Sequence, residues 1–234
     1  MSKFYSVGVG AGDGSYITLG ALRALEMSDI IAVPVKKMGE KSTALEIIRK
    51  EFNADRKEIL ELEFPMVSDM KIRAASRKTA ADKIISALED GKNAAMITLG
   101  DVSIYSTCSY VHKAVKDAGF EIEIIAGITS FCAAADKAQI SLCEGEETVA
   151  IIPSLKSCSL EKYLDEFDTV IIMKAGRDID KIYDILAKRN MTENAIVSAC
   201  VGMENELIEN IQKGKSYGYF TTVIIRKKSE RTTV

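Results

Sequence analysis

The sequence has few of the residues from which metal and redox sites are built. It contains no tryptophan, three prolines, one histidine and five cysteines, and no two cysteines form a Cys-x-x-Cys pair. Because His112 has no second histidine with which to share a metal, we predict a structural or surface role for it, not a catalytic one, and no metal site. Cysteines this widely spaced are expected to be reduced and mostly buried; they are Cys108, Cys132, Cys143, Cys158 and Cys200.

Long apolar runs and an excess of positive charge are also missing. No apolar run reaches the roughly 20 residues that span a bilayer, so no membrane segment is predicted. The formal net charge is −3, whereas nucleic-acid-binding domains are usually basic, so no nucleic-acid partner is expected. Residues 1–5 lead directly into a predicted strand without a secretory signal, and the expected location is therefore cytoplasmic.

The residues that are present predict an α/β fold. Hydrophobic residues make up 47% of the chain and charged residues 28%, as in soluble globular proteins. Short apolar runs alternate with stretches of helical period, which indicates a parallel sheet covered by helices. A break at Gly119 and the absence of a long linker predict two abutting α/β domains, residues 1–118 and residues 119–234. The first sheet is expected to be mostly parallel. The second is expected to be mixed, because its β-rich end at 217–226 is predicted to be antiparallel.

Two local patterns in these domains lead to further expectations. Thr18 is predicted to cap a helix that runs to Met27, with Leu19, Leu22 and Leu25 facing inward. Residues 204–213 show no pattern that can be assigned to a helix or a strand.

The stretch from Leu99 to Thr107 is the strongest candidate for a binding loop. It follows a short apolar strand at 93–98 and precedes a segment with the spacing of a helix. Ligands of open α/β sheets bind outside the carboxyl ends of the strands, where this loop is expected to lie. Gly100 would let a ligand approach the backbone, and Asp101 adds a polar side chain. An ordinary strand-to-helix connection remains the alternative.

The glycine-rich loop at 8–14 raises the alternative of a nicotinamide-dependent oxidoreductase. The dinucleotide motif G-x-G-x-x-G fails in every register, because Asp13, Ser15 or Ile17 occupies the place of the last glycine. An acidic residue in this loop would also repel a pyrophosphate. A glycine-rich turn that lines a cleft for another ligand explains the loop better. Residues 126–130 repeat the strand–glycine–hydroxyl layout, and Ser130 is predicted to cap the helix that follows.

Taken together, these loops resemble a known family. Gly8-Val-Gly-Ala-Gly-Asp-Gly-Ser-Tyr-Ile-Thr-Leu-Gly-Ala, Gly100-Asp101 followed by Ile104-Tyr105-Ser106-Thr107, and Gly127-Ile128-Thr129-Ser130 are similar to motifs of the tetrapyrrole methyltransferases of cobalamin biosynthesis. The resemblance covers nearly the whole chain. Val33-Pro34, Ile-Tyr-Ser-Thr and Ile-Thr-Ser-Phe-Cys-Ala-Ala-Ala are most like the precorrin-2 (or cobalt-factor II) C20-methyltransferases.

The resemblance implies a methyl transfer from S-adenosylmethionine to a tetrapyrrole substrate, with S-adenosylhomocysteine as the product. It also implies a homodimer and a cofactor cleft between the two domains. No catalytic base is assigned, and Asp13 and Tyr105 are candidates because both are expected to face the cleft. The positions that match the cofactor-contacting residues of the family are Gly100, Asp101, Val102, Ile104, Thr129, Ser130, Met173 and Gly202.

The sequence departs from the family pattern at two prolines. Ala11 and Val102 stand where the family usually has proline, which leaves φ of both loops less constrained. Pro34 stands where members that methylate uroporphyrinogen carry an acid, which argues against that substrate. Methylation of another ring carbon and diphthine synthesis remain alternatives within the family, as does a non-catalytic scaffold outside it. The sequence does not specify whether the substrate already carries cobalt.

Overall fold

Five parallel strands form the sheet of the N-terminal unit, in the order β3-β2-β4-β1-β5. The computed structural model describes residues 2–155 and 159–227. The adjacent strands at Lys3–Gly8 and Ala94–Thr98 are almost completely buried, as expected inside a parallel sheet with helices on both faces. The strands are β1 (Lys3–Gly8), β2 (Ile30–Val35), β3 (Glu58–Glu63), β4 (Ala94–Thr98) and β5 (Glu121–Ile125).

Two helices cover each face of this sheet. The helices are α1 (Leu19–Met27), α2 (Thr43–Ile48), α3 (Met70–Glu89) and α4 (Ser109–Asp117). The side chains of α3 and α4 pack on one face of the sheet, around Phe4 and Met96. Those of α1 and α2 pack on the other face, around Val7 and Ile97.

Helix α1 begins at its predicted cap and buries Leu25 as predicted, but Leu19 does not face inward. The Thr18 hydroxyl accepts a hydrogen bond from the Ala21 amide at 3.1 Å, which confirms the cap. Leu19 was predicted to face inward and is instead 70% exposed. The inward face is occupied by Ala21, Ala24 and Leu25, and the two small alanine side chains bring the helix close to the sheet.

The predicted domain boundary after residue 118 is wrong. Strand β5 pairs in parallel with β1, from Lys3 opposite Glu121 to Val7 opposite Ile125, and therefore belongs to the first sheet. The chain divides into two units between Thr129 and Ser130. Gly119 marks only the end of α4, where its φ of +86° suits glycine.

The second unit has a mixed sheet in the order β6-β7-β10-β8-β9. Its strands are β6 (Val149–Ile152), β7 (Thr169–Met173), β8 (Ala195–Ala199), β9 (Leu207–Asn210) and β10 (Thr221–Arg226). Strand β10 is antiparallel to both β7 and β8, which confirms the predicted mixed sheet. Strand β9 lies within the stretch 204–213 that the sequence left unassigned. Since β10 is the middle strand of this sheet, its apolar side chains are buried within one chain and give no support for a dimer interface.

Among the described residues, three α-helices accompany the second sheet. They are α5 (Ser130–Ala138), α6 (Leu160–Glu166) and α7 (Ile179–Ala187). Ser130 is the first residue of α5, not the residue that precedes it, so it does not occupy the predicted cap position. Ala134 and Ala135 pack on Ile224 of β10, and these small side chains allow a close approach.

The cysteines are less buried than the sequence predicted. Cys108 is buried, Cys200 is half-buried, and Cys132 and Cys143 are exposed. Cys132 is exposed because the buried face of α5 is formed by other residues. Cys158 lies outside the described residues. No helix in the described part of the chain combines the length and the hydropathy needed to cross a membrane.

Candidate active site

Three glycines meet at the carboxyl ends of β1, β4 and β5. Gly8 ends β1, Gly100 follows β4 and Gly127 follows β5. A Cβ placed on Gly8 would lie 2.7 Å from the carbonyl oxygen of Gly100 and 2.7 Å from the amide nitrogen of Gly127. A Cβ on Gly127 would likewise collide with the backbones of Gly8 and Gly100. The three loops therefore touch backbone to backbone, which only glycine permits.

Gly100 differs from the other two glycines because its missing side chain would face open space. Its φ is +73°, and a Cβ built on it would meet no atom within 4 Å. The loop after β1 holds it in place, since the Gly100 amide donates to the Gly10 carbonyl at 2.7 Å and the Gly10 amide donates to the Gly100 carbonyl at 3.2 Å. Gly100 thus presents bare backbone at the edge of the sheet.

The loop after β1 is not built like a dinucleotide-binding turn. A dinucleotide fingerprint places its pyrophosphate at the N-terminus of the helix that starts within the motif. Here the glycines are followed by a short 3₁₀ turn at Gly14–Tyr16, and α1 begins only at Leu19. The Asp13 carboxylate accepts from the Ser15 amide at 2.8 Å and so caps the 3₁₀ turn.

The Asp101 carboxylate joins two of the loops and is satisfied by the protein itself. It is 9% exposed, and its Oδ2 accepts from the Gly127 amide at 2.8 Å. Its Oδ1 accepts from the Ser103 amide at 2.8 Å and from the Ser103 hydroxyl. Burial by itself raises the pKa of Asp101, but these hydrogen bonds together with one from the Val102 amide outweigh burial and lower the pKa. Asp101 is therefore an ionised clamp between the loops.

The other predicted residues of this loop differ in how they can contact a ligand. Val102 is buried in the core beside Phe4, so only its backbone is available to a ligand. Ile104 is half-buried. Tyr105 has a φ of +49° and is 48% exposed. A bulky residue in the left-handed region is uncommon, and such strain is concentrated at functional sites.

Buried polar groups fix the loop from beneath. The Ser106 hydroxyl donates to the Thr98 hydroxyl at 3.1 Å and accepts from the Cys108 amide at 3.1 Å. One turn further along α4, Nε2 of His112 lies 2.9 Å from the Ser6 hydroxyl. Burial lowers the pKa of His112 and raises the pKa of the Cys108 thiol, so both groups favour their neutral forms. His112 thus contacts β1, in agreement with its predicted structural role.

The second unit carries the remaining predicted residues. Met173 ends β7 opposite Thr222, and Gly202 follows β8 with a φ of +73°. Because β7 and β8 are both antiparallel to β10, their carboxyl ends lie at the same edge of the second sheet. Lys174 and Cys200 follow these two strands, with φ values of +56° and +52°. Strained backbone therefore accompanies both strand ends.

Exposed aromatic residues lie beside the same strand ends. Tyr219 and Phe220 precede β10, are both exposed, and have ring centroids 5.4 Å apart. The Phe220 carbonyl accepts from the Cys200 amide at 2.7 Å, and the Lys174 ammonium lies 5.6 Å from the centroid of the Tyr219 ring. These four residues are not among the site positions predicted from the sequence. For Lys174 and Cys200 the reason is that a positive φ on a non-glycine residue leaves no sequence signal.

The predicted site residues thus fall into separate groups. Gly100, Asp101, Val102 and Ile104 share one loop, and the hydrogen bond from Gly127 ties that loop to the segment that ends at Thr129. Ser130, Met173 and Gly202 belong to the second unit. Gly8 and Gly127 were not predicted as cofactor-contacting positions, although the glycine-rich loop at 8–14 was predicted to line a cleft and residues 126–130 repeat its strand–glycine layout.

These strand ends offer a ligand a close approach to the main chain. In the described residues, no group of three or more His, Cys, Asp or Glu side chains could hold a metal ion. The edge of the first sheet offers bare backbone at Gly100 and a carboxylate already occupied by protein donors. This suits a ligand that packs closely against the backbone at Gly100, in the space that any side chain there would fill.

Comparison with known sequences identifies the family of the chain. The family model of the tetrapyrrole (corrin/porphyrin) methylases matches residues 3–213. A Methanocaldococcus jannaschii protein named "Probable cobalt-precorrin-2 C(20)-methyltransferase" is 46% identical over 182 residues, which are 78% of this chain and 76% of the relative. The Salmonella typhimurium cobalt-precorrin-2 C(20)-methyltransferase is 27% identical over 97% of this chain and 98% of its own length.

Solved structures share the two-unit fold. A cobalt precorrin-4 methyltransferase has a TM-score of 0.72 at 17% identity, over 96% of this chain and 94% of its own. The Thermus thermophilus uroporphyrin-III C-methyl transferase in complex with S-adenosylhomocysteine has a TM-score of 0.68 at 13% identity, over 97% of this chain and 98% of its own. With the family match over residues 3–213, the chain belongs to the tetrapyrrole (corrin/porphyrin) methylase family.

Proposed function

We propose that this protein transfers a methyl group from S-adenosylmethionine to C20 of precorrin-2 or its cobalt-bearing form, in cobalamin biosynthesis. The relatives at 46% and 27% identity both carry names that specify the cobalt-bearing substrate. Two proteins named cobalt-precorrin-4 C(11)-methyltransferase match at 28% and 24% identity but over only 64% of this chain, whereas the 27% identical C(20)-methyltransferase matches over 97% of it. The C20 reaction is therefore favoured over methylation of another ring carbon or of the diphthine precursor.

The observation that carries this proposal is the open backbone at Gly100. S-adenosylmethionine supplies a methyl group that is already activated on a sulfonium. The protein therefore has to orient the reactants and exclude water, and orientation alone can contribute about 7–11 kcal/mol. The contact of Gly8, Gly100 and Gly127, which we call the glycine junction, fixes the backbone at Gly100. The Asp101 carboxylate holds the adjoining loops together. We propose cofactor contacts at Gly100, Asp101, Val102, Ile104, Thr129, Ser130, Met173 and Gly202.

A catalytic base is not required for the transfer itself, because a ring carbon is the nucleophile. Proton loss from that carbon follows, and Asp13 and Tyr105 are our candidates to assist it. Asp13 already caps a 3₁₀ turn. Tyr105 is exposed at the strand ends in a strained conformation.

A direct assay tests the function. The purified protein is incubated with labelled S-adenosylmethionine and, in parallel, with precorrin-2, its cobalt form and uroporphyrinogen III, and the product is located by NMR. We expect one added methyl group at C20 with either precorrin-2 form. A product methylated only at another carbon would overturn the assignment, whereas calorimetric binding of NAD without binding of S-adenosylhomocysteine would favour an oxidoreductase.

We also propose that the enzyme acts as a homodimer in the cytoplasm. Support for the dimer comes from the family resemblance alone. The apolar strand β10 adds none, because it is the middle strand of its sheet and is buried within one chain. Sedimentation at tens of micromolar tests the dimer, and a monomer under those conditions would contradict it.

A further inference from the structure

A continuous run of exposed residues links β3 to the body of α3. Residues 66–75 are all exposed, although the run contains several large apolar side chains. Soluble proteins seldom leave such residues clustered on the surface unless they meet a ligand or partner. The exposed side chains are Met66 (63%), Val67 (40%), Met70 (79%) and Ile72 (50%).

Cations accompany these apolar side chains. Residues 66–78 include Lys71, Arg73, Arg77 and Lys78 but only one acid, Asp69. That acid caps α3 by accepting from the amides of residues 71 and 72. Lys78 pairs with Asp82 at 2.6 Å. In the part of the chain that the structure describes, the other three cations form no ion pair with a carboxylate.

The position of this segment relative to the sheet is fixed by two contacts. The hydroxyl of Ser76 donates to the carbonyl of Glu63, the last residue of β3. The residues that precede Ser76 therefore extend beyond the carboxyl edge of the sheet. All the strands of this sheet are parallel, so this is the edge at which Gly100 lies.

The second contact orients Arg77. Its guanidinium carbon lies 3.5 Å from the centroid of the Tyr110 ring. Tyr110 is the second residue of α4, which follows the Gly100 loop. A stacked guanidinium keeps its N–H groups in one plane, and this geometry suits a carboxylate that accepts two parallel hydrogen bonds.

The loop after β2 continues the same surface. Lys36, Lys37, Met38 and Lys41 are exposed in it. The Gly39 amide donates to a Glu61 carboxylate oxygen at 2.7 Å, which fixes this loop against β3. Loop 36–41 and segment 66–77 together form a surface that we name the methionine–arginine rim.

We propose that the methionine–arginine rim binds the tetrapyrrole substrate, with Arg73 and Arg77 pairing with carboxylates on the edge of the macrocycle. This inference rests on the proposed function. A flat apolar ring with acetate and propionate side chains matches both features of the rim, its exposed apolar side chains and its unpaired cations. A nucleic acid is disfavoured by the net charge of −3, and a second copy of the chain is the competing occupant.

Binding of a stable porphyrin tests the proposal without turnover. Uroporphyrin III is titrated against the wild type, Arg73→Ala and Arg77→Ala in the presence of S-adenosylhomocysteine, and porphyrin fluorescence is followed. We expect each variant to bind about tenfold more weakly, as the loss of a charge-assisted hydrogen bond produces. The matched control is Lys78→Ala, on the same helix but already paired with Asp82, and it should change affinity by less than about twofold.

Further measurements distinguish a loss of rim contacts from a general loss of folded structure. Tyr110→Phe retains the ring under Arg77 and should retain affinity, whereas Tyr110→Ala should weaken binding as Arg77→Ala does. Coproporphyrin III carries fewer carboxylates, so it should bind the wild type more weakly and respond less to the arginine variants. Thermal unfolding of each variant checks that the fold is intact.

The possible failures can be told apart. Wild-type affinity for uroporphyrin III in both folded arginine variants would overturn the rim proposal. If these variants also sediment as smaller species than the wild type, a second copy of the chain covers the rim instead. Failure of the wild type to methylate either precorrin-2 form in the product assay would overturn the proposed function, and with it the assignment of the porphyrin bound at the rim as a substrate.

Discussion

The carboxylate of Asp101 accepts a hydrogen bond from the backbone amide of Gly127, at 2.8 Å. Asp101 follows β4 and Gly127 follows β5, and β1 lies between these two strands in the sheet. One side chain therefore joins loops on either side of β1. Packing of larger side chains could not join these loops, because a Cβ on Gly8 or Gly127 would collide with the neighbouring backbone.

Asp101→Asn should weaken this connection while preserving the shape of the side chain. The asparagine NH₂ group would face either the Gly127 amide or the Ser103 amide and hydroxyl. These groups are all hydrogen-bond donors, so whichever faces the NH₂ would be left without its carboxylate acceptor. We expect a loss of about 1.5–3 kcal/mol in the free energy of unfolding, as for hydrogen bonds to charged groups. Urea unfolding measures this loss. Ser103→Ala removes only the hydroxyl donor and should cost about 1 kcal/mol; equal losses in the two variants would contradict the clamp.

The same clamp predicts a dependence on acid pH. Since the folded pKa of Asp101 is lowered, its stabilising contribution is present above the unfolded pKa of about 4 and is lost as pH falls through the folded value. The difference in unfolding free energy between the wild type and Asp101→Asn should therefore be constant from about pH 7 to 5 and shrink below about pH 4. A difference that grows in acid would show that the carboxylate is not stabilised in the folded state.

His112 should make the folded protein less stable in mildly acidic solution. Burial lowers its pKa, so as pH falls below the ordinary value of about 6.5 the unfolded chain takes up a proton before the folded chain does. It is the only histidine in the sequence. The thermal midpoint of the wild type should fall between about pH 7.5 and 5.5, and His112→Gln should flatten this profile. Parallel profiles would place the effect elsewhere.

Much of the fold was predictable from the sequence because it depends on periodicity. The strands at 3–8 and 94–98 and the long helix at 70–89 follow from apolar spacing and capping residues. The domain boundary was not predictable in this way. Gly119 ends a helix, and nothing local shows that the next strand returns to pair with β1.

The candidate site was predictable where it depends on glycine and not where it depends on strain. Gly100 could be recognised because a glycine after a buried strand marks a close approach of backbone. Tyr105, Lys174 and Cys200 adopt positive φ because the surrounding fold imposes it. Helical spacing also has a limit as a signal. It predicted the same inward orientation for Leu19 and Leu25, but only Leu25 is buried.

Neither candidate base should prove essential for the chemical step. Tyr105→Phe and Asp13→Asn remove the hydroxyl and the carboxylate, and asparagine can still accept the hydrogen bond from Ser15. We expect each variant to keep kcat within about tenfold of the wild type, because the methyl transfer itself needs no base. Loss of a base that limits the rate would lower kcat by about 10²–10⁴-fold. Single-turnover methylation measures this. A loss within that larger range, with unchanged binding of S-adenosylhomocysteine, would identify the base.

Substitutions in the glycine junction should separate folding from ligand binding. Gly127→Ala places a Cβ against the backbones of Gly8 and Gly100, which cannot rotate away. We expect it to destabilise the fold by about 3 kcal/mol, the upper end for overpacking. Gly100→Ala meets no atom and should cost only the strain of its positive φ, about 1–2 kcal/mol. Gly91→Ala is the control for that strain, since its φ is +81° and its Cβ would also meet no atom.

Gly100→Leu then tests the cofactor site itself. Its side chain would occupy the open space at the sheet edge where the cofactor is proposed to lie, at a backbone cost similar to that of Gly100→Ala. We expect binding of S-adenosylhomocysteine, measured by calorimetry, to fall at least about tenfold relative to Gly100→Ala, which corresponds to about 1.4 kcal/mol. Unfolding should remain cooperative, because the side chain points away from the core. A folded Gly100→Leu variant that binds S-adenosylhomocysteine like Gly100→Ala would place the cofactor away from this turn, since a leucine side chain cannot share that space with a bound ligand.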